Sequence, residues 1–142
     1  MLDLQIKRAE PSDAAALLCL NTAFNGACTT EERIIDSLLG NTQEIVLIAY
    51  ANGIPAGFLC GQICRCMCYK TPHGSVAELF VDSAYRRKGV AAQLVWEIEA
   101  LFKQMDISTV DIATSVDNHK AQAFYASRGY AGKTKMIYRK RI

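Results

Sequence analysis

The sequence predicts an α/β (α+β) fold: one mixed, mostly antiparallel sheet of six to seven strands with about four helices, in the order β-α-α-β-β-β-α-β-α-β. Three observations lead there. Asn52-Gly53 is a strong two-residue hairpin signal between two apolar, β-rich runs, so those strands are antiparallel neighbours. Val90 to Met105 carries an apolar stripe at helical spacing (Val90, Leu94, Ile98, Leu101, Phe102, Met105) and lies between two strand-like runs, which makes it the crossover of a parallel pair. Two capped helical patterns stand between a short first strand and the hairpin.

Taken in order, Leu4 and Ile6 alternate with Gln5 and Lys7 as the first strand, and Pro11-Ser12-Asp13 caps a helix through Ala14 to Leu20. Thr29-Thr30-Glu31-Glu32 fits a capping box, and Ile34, Ile35, Leu38 and Leu39 recur at helical spacing until Gly40-Asn41 stops that second helix. Glu44 to Tyr50 and the return run Ile54 to Tyr69 form the hairpin, and Thr71-Pro72-His73-Gly74 turns into a fourth strand, Ser75 to Val81. After the long helix, Thr109 to Thr114 is the fifth strand, parallel to the fourth. Asn118 to Arg128 is the last helix, ended by Gly129, and Lys133 to Ile142 suggests a final strand.

At 142 residues with 51% apolar content, the chain suits a single domain, residues 1–142, with a sizeable core. A net charge of +2 is too small for a dedicated nucleic-acid binder. No charged start with an apolar run resembles a signal peptide, and no window approaches the roughly 18 to 20 apolar residues of a membrane span, so a soluble cytoplasmic protein is expected. Cys60, Cys64, Cys66 and Cys68 crowd the return strand, where alternation sets Cys64, Cys66 and Cys68 on one face. They lack the paired-knuckle spacing of zinc sites, so packing is favoured over metal or disulfide; Cys19 and Cys28 take no role. His73 and His119 have no ligand-spaced partner and read as surface residues.

The most informative stretch is Arg86-Arg87-Lys88-Gly89-Val90-Ala91, which joins the fourth strand to the long helix. The first N–H groups of a helix lack intrahelical partners and carry partial positive charge, and a glycine lets a phosphate come close; pyrophosphate is the obvious guest. The bland alternative is a solvated basic turn, but three cations at a helix start oppose the dipole unless an anion binds. There is no G-x-x-x-x-G-K-[ST] and no dinucleotide fingerprint. A second segment, Asn118-His119-Lys120-Ala121-Gln122-Ala123-Phe124-Tyr125, sets Asn118 and Tyr125 nearly two turns apart on one helix face. Its bland alternative is that Asn118 caps the helix and Tyr125 is a buried aromatic.

Arginine-x-x-glycine-x-alanine at Arg86, Gly89 and Ala91, followed by Asn118-x-x-Ala121-x-x-Phe124-Tyr125 and Ser127-Arg128-Gly129-Tyr130, resembles the GNAT superfamily of acetyl-CoA-dependent N-acetyltransferases over almost the whole chain. The resemblance implies that backbone N–H groups from Arg87, Lys88, Gly89, Val90, Ala91 and Ala92 hold the CoA pyrophosphate beside Arg86. It implies that Leu79, Phe80 and Val81 pair main-chain groups with the pantetheine arm, and that Asn118 and Ala121 contact the cofactor. Acetyl-CoA is then the co-substrate, with no metal.

The reaction so implied is direct attack of an amine on the thioester in a ternary complex. A primary amine has a pKa near ~10 and must lose a proton, for which Glu78 is the candidate base, directly or through water; the bland alternative is an exposed carboxylate that only attracts a cation. Tyr125, a phenol of pKa near ~10, suits protonation of a thiolate whose conjugate acid is near ~8.5, the role the resemblance also gives it. A main-chain N–H near Phe80 or Val81 is the expected oxyanion donor. Glu31, Glu32, Asp36 and Glu44 offer an acidic rim, so a small-molecule amine (polyamine, aminoglycoside or amino-acid-like) is the expected acceptor. Ala113 stands where relatives that modify protein N-termini carry a carboxylate. The alternatives are a protein N-terminal or lysine acetyltransferase, a non-catalytic acyl-CoA sensor, and a thiol or metal protein built on Cys60 to Cys68. A final sheet edge left unpaired would invite a homodimer.

Overall fold

In the computed structural model, which describes residues 1–142, the alternation of Leu4 and Ile6 becomes β1 (Leu4–Arg8). A 3-10 turn at Pro11–Asp13 then leads into α1 (Ala14–Asn25). The second helix, α2 (Glu31–Gly40), starts one residue later than its capping box suggests, because Thr30 and not Thr29 is the cap: its hydroxyl accepts the Arg33 N–H at 3.2 Å. β2 (Glu44–Ala51) and β3 (Ile54–Cys64) follow, joined by Asn52 and Gly53 at φ of 50° and 79°. Both turn residues are left-handed, which matches the turn twist to that of the strands. β4 (His73–Val81), a 3-10 turn at Ser83–Tyr85, α3 (Val90–Gln104) and β5 (Val110–Ile112) complete a compact unit, Met1–Ile112.

The sheet runs β1-β2-β3-β4-β5, antiparallel except for the parallel β4–β5 pair. Both faces are covered, so β2 reads Ile45, Leu47, Ile48, Ala49 and Ala51 with every one buried. On one face Leu17 and Leu20 of α1 pack on Ile48, Phe58 and Phe80, with Ile34 and Leu38 of α2 at the margin. On the other lies α3, so close that a Cβ on Gly61 would come within 2.7 Å of Ile98, and one on Gly74 within 2.7 Å of the Phe102 ring. Glycine is what lets this helix sit down on β3 and β4.

A second unit, Ala113–Ile142, holds α4 (His119–Ser127), which ends at Gly129 with φ of 93°. No helix is long and apolar enough to cross a membrane.

The strand count is lower than the sequence suggests, five in place of six to seven. Lys133 to Ile142 pairs with no ladder, and Met136, Ile137 and Tyr138 are all exposed; five cations (Lys133, Lys135, Arg139, Lys140, Arg141) repel one another along it. β3 stops at Cys64 and not Tyr69, because its partner strand begins at His73, directly opposite Cys64, and the residues beyond have nothing to pair with. Cys66 and Cys68 therefore lie in a turn, and Cys64, Cys66 and Cys68 are all exposed, so the shared strand face and the packing role expected of them are not found. Cys60 alone of that group packs, against the α1 side of the sheet.

Candidate active site

The phosphate cradle takes its shape from two left-handed residues. Arg87 has φ of 60° and Gly89 φ of 84°, and Gly89 stands at the N-cap of α3 with no side chain to cap it. The first N–H groups of α3 are thereby left without an intrahelical or capping partner, and nothing lies within 4 Å of where a Gly89 Cβ would be. Arg86 folds back: its Nε donates to the Val81 carbonyl at 2.9 Å and its guanidinium lies 6.0 Å from the Phe80 ring. Lys88 stands 5.8 Å from the Tyr85 ring. Aromatic contacts hold two of the three cations beside an open helix end, so the arrangement suits an anion such as pyrophosphate.

Next to the cradle, β4 has an open edge. β5 pairs only with Gly74, Ser75 and Val76, so from Ala77 to Val81 no strand adjoins β4 on that side. The Asp82 N–H donates to the Ala56 carbonyl at 2.8 Å, and in an antiparallel ladder the neighbouring Val81 then points its main-chain groups away from β3. The Arg86 bond to the Val81 carbonyl agrees. By the same alternation Leu79 points outward and Phe80 inward, so Leu79 and Val81, and not Phe80, present N–H and C=O to a ligand lying along the edge.

A bulge sets what faces the other way. Cys60 pairs with Glu78 but Gly61 pairs with Val76, leaving Ala77 without a partner. Val76 consequently faces α3 while Glu78 sits across from Cys60, on the face covered by α1 and α2. Burial, with the charges of Glu44 and Glu78, pushes the Cys60 thiol up to about 12, so both carboxylates stand near it and it stays protonated. Between α1, α2 and this face lies a cavity of about 210 Å³ walled by Leu17, Ile34, Leu38, Val46 and Phe58, with Arg33, Glu44 and Cys60 among its polar groups. Glu44 is oriented by Ser37, whose hydroxyl donates at 3.1 Å, and by Gln62 Nε2 at 2.7 Å. Glu31, Glu32 and Asp36 are exposed and do not line it.

In the second unit, Asn118 caps α4, its Oδ1 accepting the Ala121 N–H at 3.1 Å, while Gln122 Nε2 ties the helix to the Ser115 and Val116 carbonyls at 3.1 and 2.8 Å. Tyr125 is half-buried, 5.5 Å from the Phe124 ring and 6.1 Å from that of Tyr130, and burial raises its hydroxyl above the ordinary phenol value. The two groups of candidates thus form two local constellations: Glu78 to Ala92 in the first unit, and Asn118, Ala121 and Tyr125 in the second. Sequence reasoning did not find Arg33, although its helical spacing to Ser37 places both on one face of α2.

Comparison with known proteins places this geometry. YdhI of Bacillus subtilis (strain 168) is 27% identical over 120 residues, covering 84% of this chain and 71% of that one. The fold matches that of AAC(6')-Iy, solved with the bisubstrate analog CoA-S-monomethyl-acetylneamine, with a TM-score of 0.88 at 20% identity over 99% of each chain. It also matches the aminoglycoside acetyltransferase meta-AAC0020 from an uncultured soil metagenomic sample, solved with sisomicin, at TM-score 0.85 and 17% identity over 98% of this chain and 95% of the other. Residues 15–130 match the pattern of the acetyltransferase (GNAT) family, across both units. The chain therefore belongs to the acetyltransferase (GNAT) family and is an acetyl-CoA-dependent N-acetyltransferase.

Proposed function

We propose that this protein acetylates a primary amine of a small molecule by direct attack within a ternary complex. One observation carries the reading: the uncapped start of α3 and the open edge of β4 lie in succession along the chain, while the bulge at Ala77 sets Glu78 across from Cys60, on the sheet face covered by α1 and α2. Acetyl-CoA fits the first two features, since free N–H groups and cations suit its pyrophosphate and a strand edge suits its amide-bearing arm. It supplies an activated acyl group. Arg87 to Ala92 hold the phosphates, Leu79 and Val81 pair with the arm, and an outward N–H of that pair serves as oxyanion donor. Asn118 and Ala121 complete the cofactor side, by family likeness.

Glu78 takes a proton from the incoming ammonium, directly or through water, and Tyr125 keeps the proton that the departing sulfur needs. Burial of Tyr125 ensures that the phenol is protonated at neutral pH. The relatives of like fold whose ligands are aminoglycosides support a small-molecule acceptor over a protein one. The family match across residues 15–130 supports a single domain, and six free cysteines suit the reducing cytoplasm. The sheet ends on the short strands β1 and β5, and we propose a homodimer that covers one of these edges; a monomeric mass by light scattering at micromolar concentration would count against it.

The test of the activity is acetyl-CoA binding by calorimetry beside thiol release over polyamines, aminoglycosides, amino acids and peptides. Micromolar binding with turnover on a small amine, lost in Tyr125→Phe, is the expected result. Absence of binding would overturn the reading of Arg86 to Ala92.

A further inference from the structure

The cavity under α1 and α2 holds two charges of opposite sign that are not paired. Arg33, an exposed residue of the first turn of α2 at the rim of the cavity, makes no ion pair and no side-chain hydrogen bond; the salt bridges of the chain are those of Lys7 with Glu10 and Asp13. Glu44, at the start of β2, is held by the neutral donors Ser37 and Gln62 and likewise has no cation. Two opposite charges lining one apolar space without meeting present a ligand with a positive and a negative end.

We propose that the acceptor is a small zwitterion, a primary amine that also carries a carboxylate on an apolar body, with Arg33 receiving the carboxylate and the Glu44–Cys60 side of the cavity receiving the ammonium. This rests on the acetyl-transfer reading and narrows its acceptor. Size argues for it: about 210 Å³ is below the roughly 300–1,000 Å³ that accommodates drug-sized ligands, so a three-ring polycation has no enclosed seat here. Charge argues for it as well. A polycation site would multiply carboxylates, whereas here a single one lines the cavity, opposite a guanidinium, and Glu31, Glu32 and Asp36 stay outside it.

The chain's own energetics mark the ammonium end. Burial first, and the charges of Glu44 and Glu78 second, keep the Cys60 thiol protonated, and those two charges draw a cationic nitrogen to that spot. The apolar body then lies on Leu17, Ile34, Leu38 and Phe58, and guanidinium and carboxylate pair at the α2 end as a charge-assisted contact. The reaction balances as ammonium plus thioester giving amide, free thiol and one proton: the N–C bond forms and the C–S bond breaks, Glu78 or water takes the first amine proton and releases it to solvent, Tyr125 protonates the departing sulfur, and the second amine proton, lost from the tetrahedral intermediate, restores the Tyr125 phenol through solvent.

The experiment compares matched acceptors in the thiol-release assay: L-leucine with 3-methylbutylamine, 6-aminohexanoate with pentylamine, and spermidine as the polycation. These run on the unaltered protein, Arg33→Ala, and Arg8→Ala as a surface-cation control. At least one carboxylate-bearing acceptor should exceed its decarboxylated partner about tenfold in kcat/KM. Arg33→Ala should remove that advantage through KM, leaving the plain amine and acetyl-CoA binding unchanged. Turnover that favours spermidine, or a carboxylate preference that survives in Arg33→Ala, would overturn the zwitterion and leave the acetyltransferase standing. Failure to bind acetyl-CoA by calorimetry would overturn both.

Discussion

Glu78 sits directly across the β3–β4 ladder from Cys60, and it does so because Ala77 is bulged out of the strand. Without that extra residue, period-two alternation would put Glu78 on the same face as Val76, beneath α3, with its carboxylate away from the face that carries Cys60 and the cavity. One unpaired residue therefore does two things: it turns Glu78 to the α1–α2 face, where the proposed acceptor would lie, and it coincides with the end of β5 pairing, which leaves the strand edge open for the proposed acetyl-CoA contacts.

Glu78→Gln keeps the size and hydrogen bonding of the side chain but cannot take a proton. If Glu78 is the base, kcat should fall by about 10²-fold or more, and the acid limb of the pH profile should vanish while acetyl-CoA affinity holds. An unchanged profile would assign the deprotonation to water and leave Glu78 only an attractive charge.

Cys60 offers a check on the same face. Its thiol is pushed up to about 12, whereas Cys19, Cys28, Cys64, Cys66 and Cys68 are exposed. Titration of the native protein with a thiol-specific chromogenic disulfide at pH 8 should count five fast thiols, the sixth reacting only on unfolding. Fast reaction of all six would mean that the Cys60 face is open.

The hairpin was legible because Asn52-Gly53 admits left-handed backbone at both turn positions, and the cradle because Arg86 to Ala91 combines cations with a glycine at a helix start. The bulge at Ala77 was not, since no residue in Val76-Ala77-Glu78 has an unusual backbone preference and the register is set by what β3 and α3 demand. The end of β3 was hidden for a related reason: Cys64 to Tyr69 has strand-like composition, but strands persist only as far as a partner does. Arg33 belongs to a third kind. Its meaning lies in having no partner, and a sequence does not list partners.

Gly74 faces Phe102, which is fully buried, and a Cβ there would lie 2.7 Å from the ring. Phe102 has no space to retreat into, so Gly74→Ala should cost about 1–3 kcal/mol by overpacking, read as a lowered midpoint in urea or heat. Gly89 makes the contrast, since its surroundings are open and its requirement is the φ of 84° and, on the proposed function, room for a phosphate. Gly89→Ala should cost about 1–2 kcal/mol through the left-handed backbone alone and should in addition raise the acetyl-CoA Kd several-fold, whereas Gly74→Ala should lower stability without changing that Kd, a split that calorimetry and melting together resolve.

Asp13 ties the start of α1 to the sheet. It accepts the Tyr50 hydroxyl and the Glu10 N–H at 2.8 Å, and lies 3.0 Å from Lys7 Nζ. Burial pushes its carboxyl up, but these donors outweigh it and hold it below the ordinary value of 3.8. Because the native value is the lower one, this stabilisation is complete above the unfolded pKa of about 3.9 and is lost as pH falls through the native one. Asp13→Asn should melt lower at pH 7, by about 1–3 kcal/mol, and the difference should shrink toward pH 3. A gap that persists in acid would mean that packing, and not charge, is what Asp13 supplies.

Tyr125→Phe isolates the proton. The phenyl ring keeps its contacts with Phe124 at 5.5 Å and Tyr130 at 6.1 Å, so α4 should fold and melt as before. What disappears is a hydroxyl whose pKa burial has raised, a group that is protonated throughout the neutral range and loses its proton only as pH rises beyond the ordinary phenol value of 10.0. The raised value makes Tyr125 a weaker acid toward a thiolate near ~8.5, which costs driving force, yet it guarantees that every molecule carries the proton when the sulfur departs. The variant should lose about 10²-fold in kcat with acetyl-CoA affinity unchanged, and the unaltered protein should show no basic limb from this residue below about pH 10. A pre-activated acyl donor whose leaving group needs no proton should narrow the gap between the two. If Phe at this position is as slow with that donor as with acetyl-CoA, Tyr125 positions the cofactor and does not protonate it.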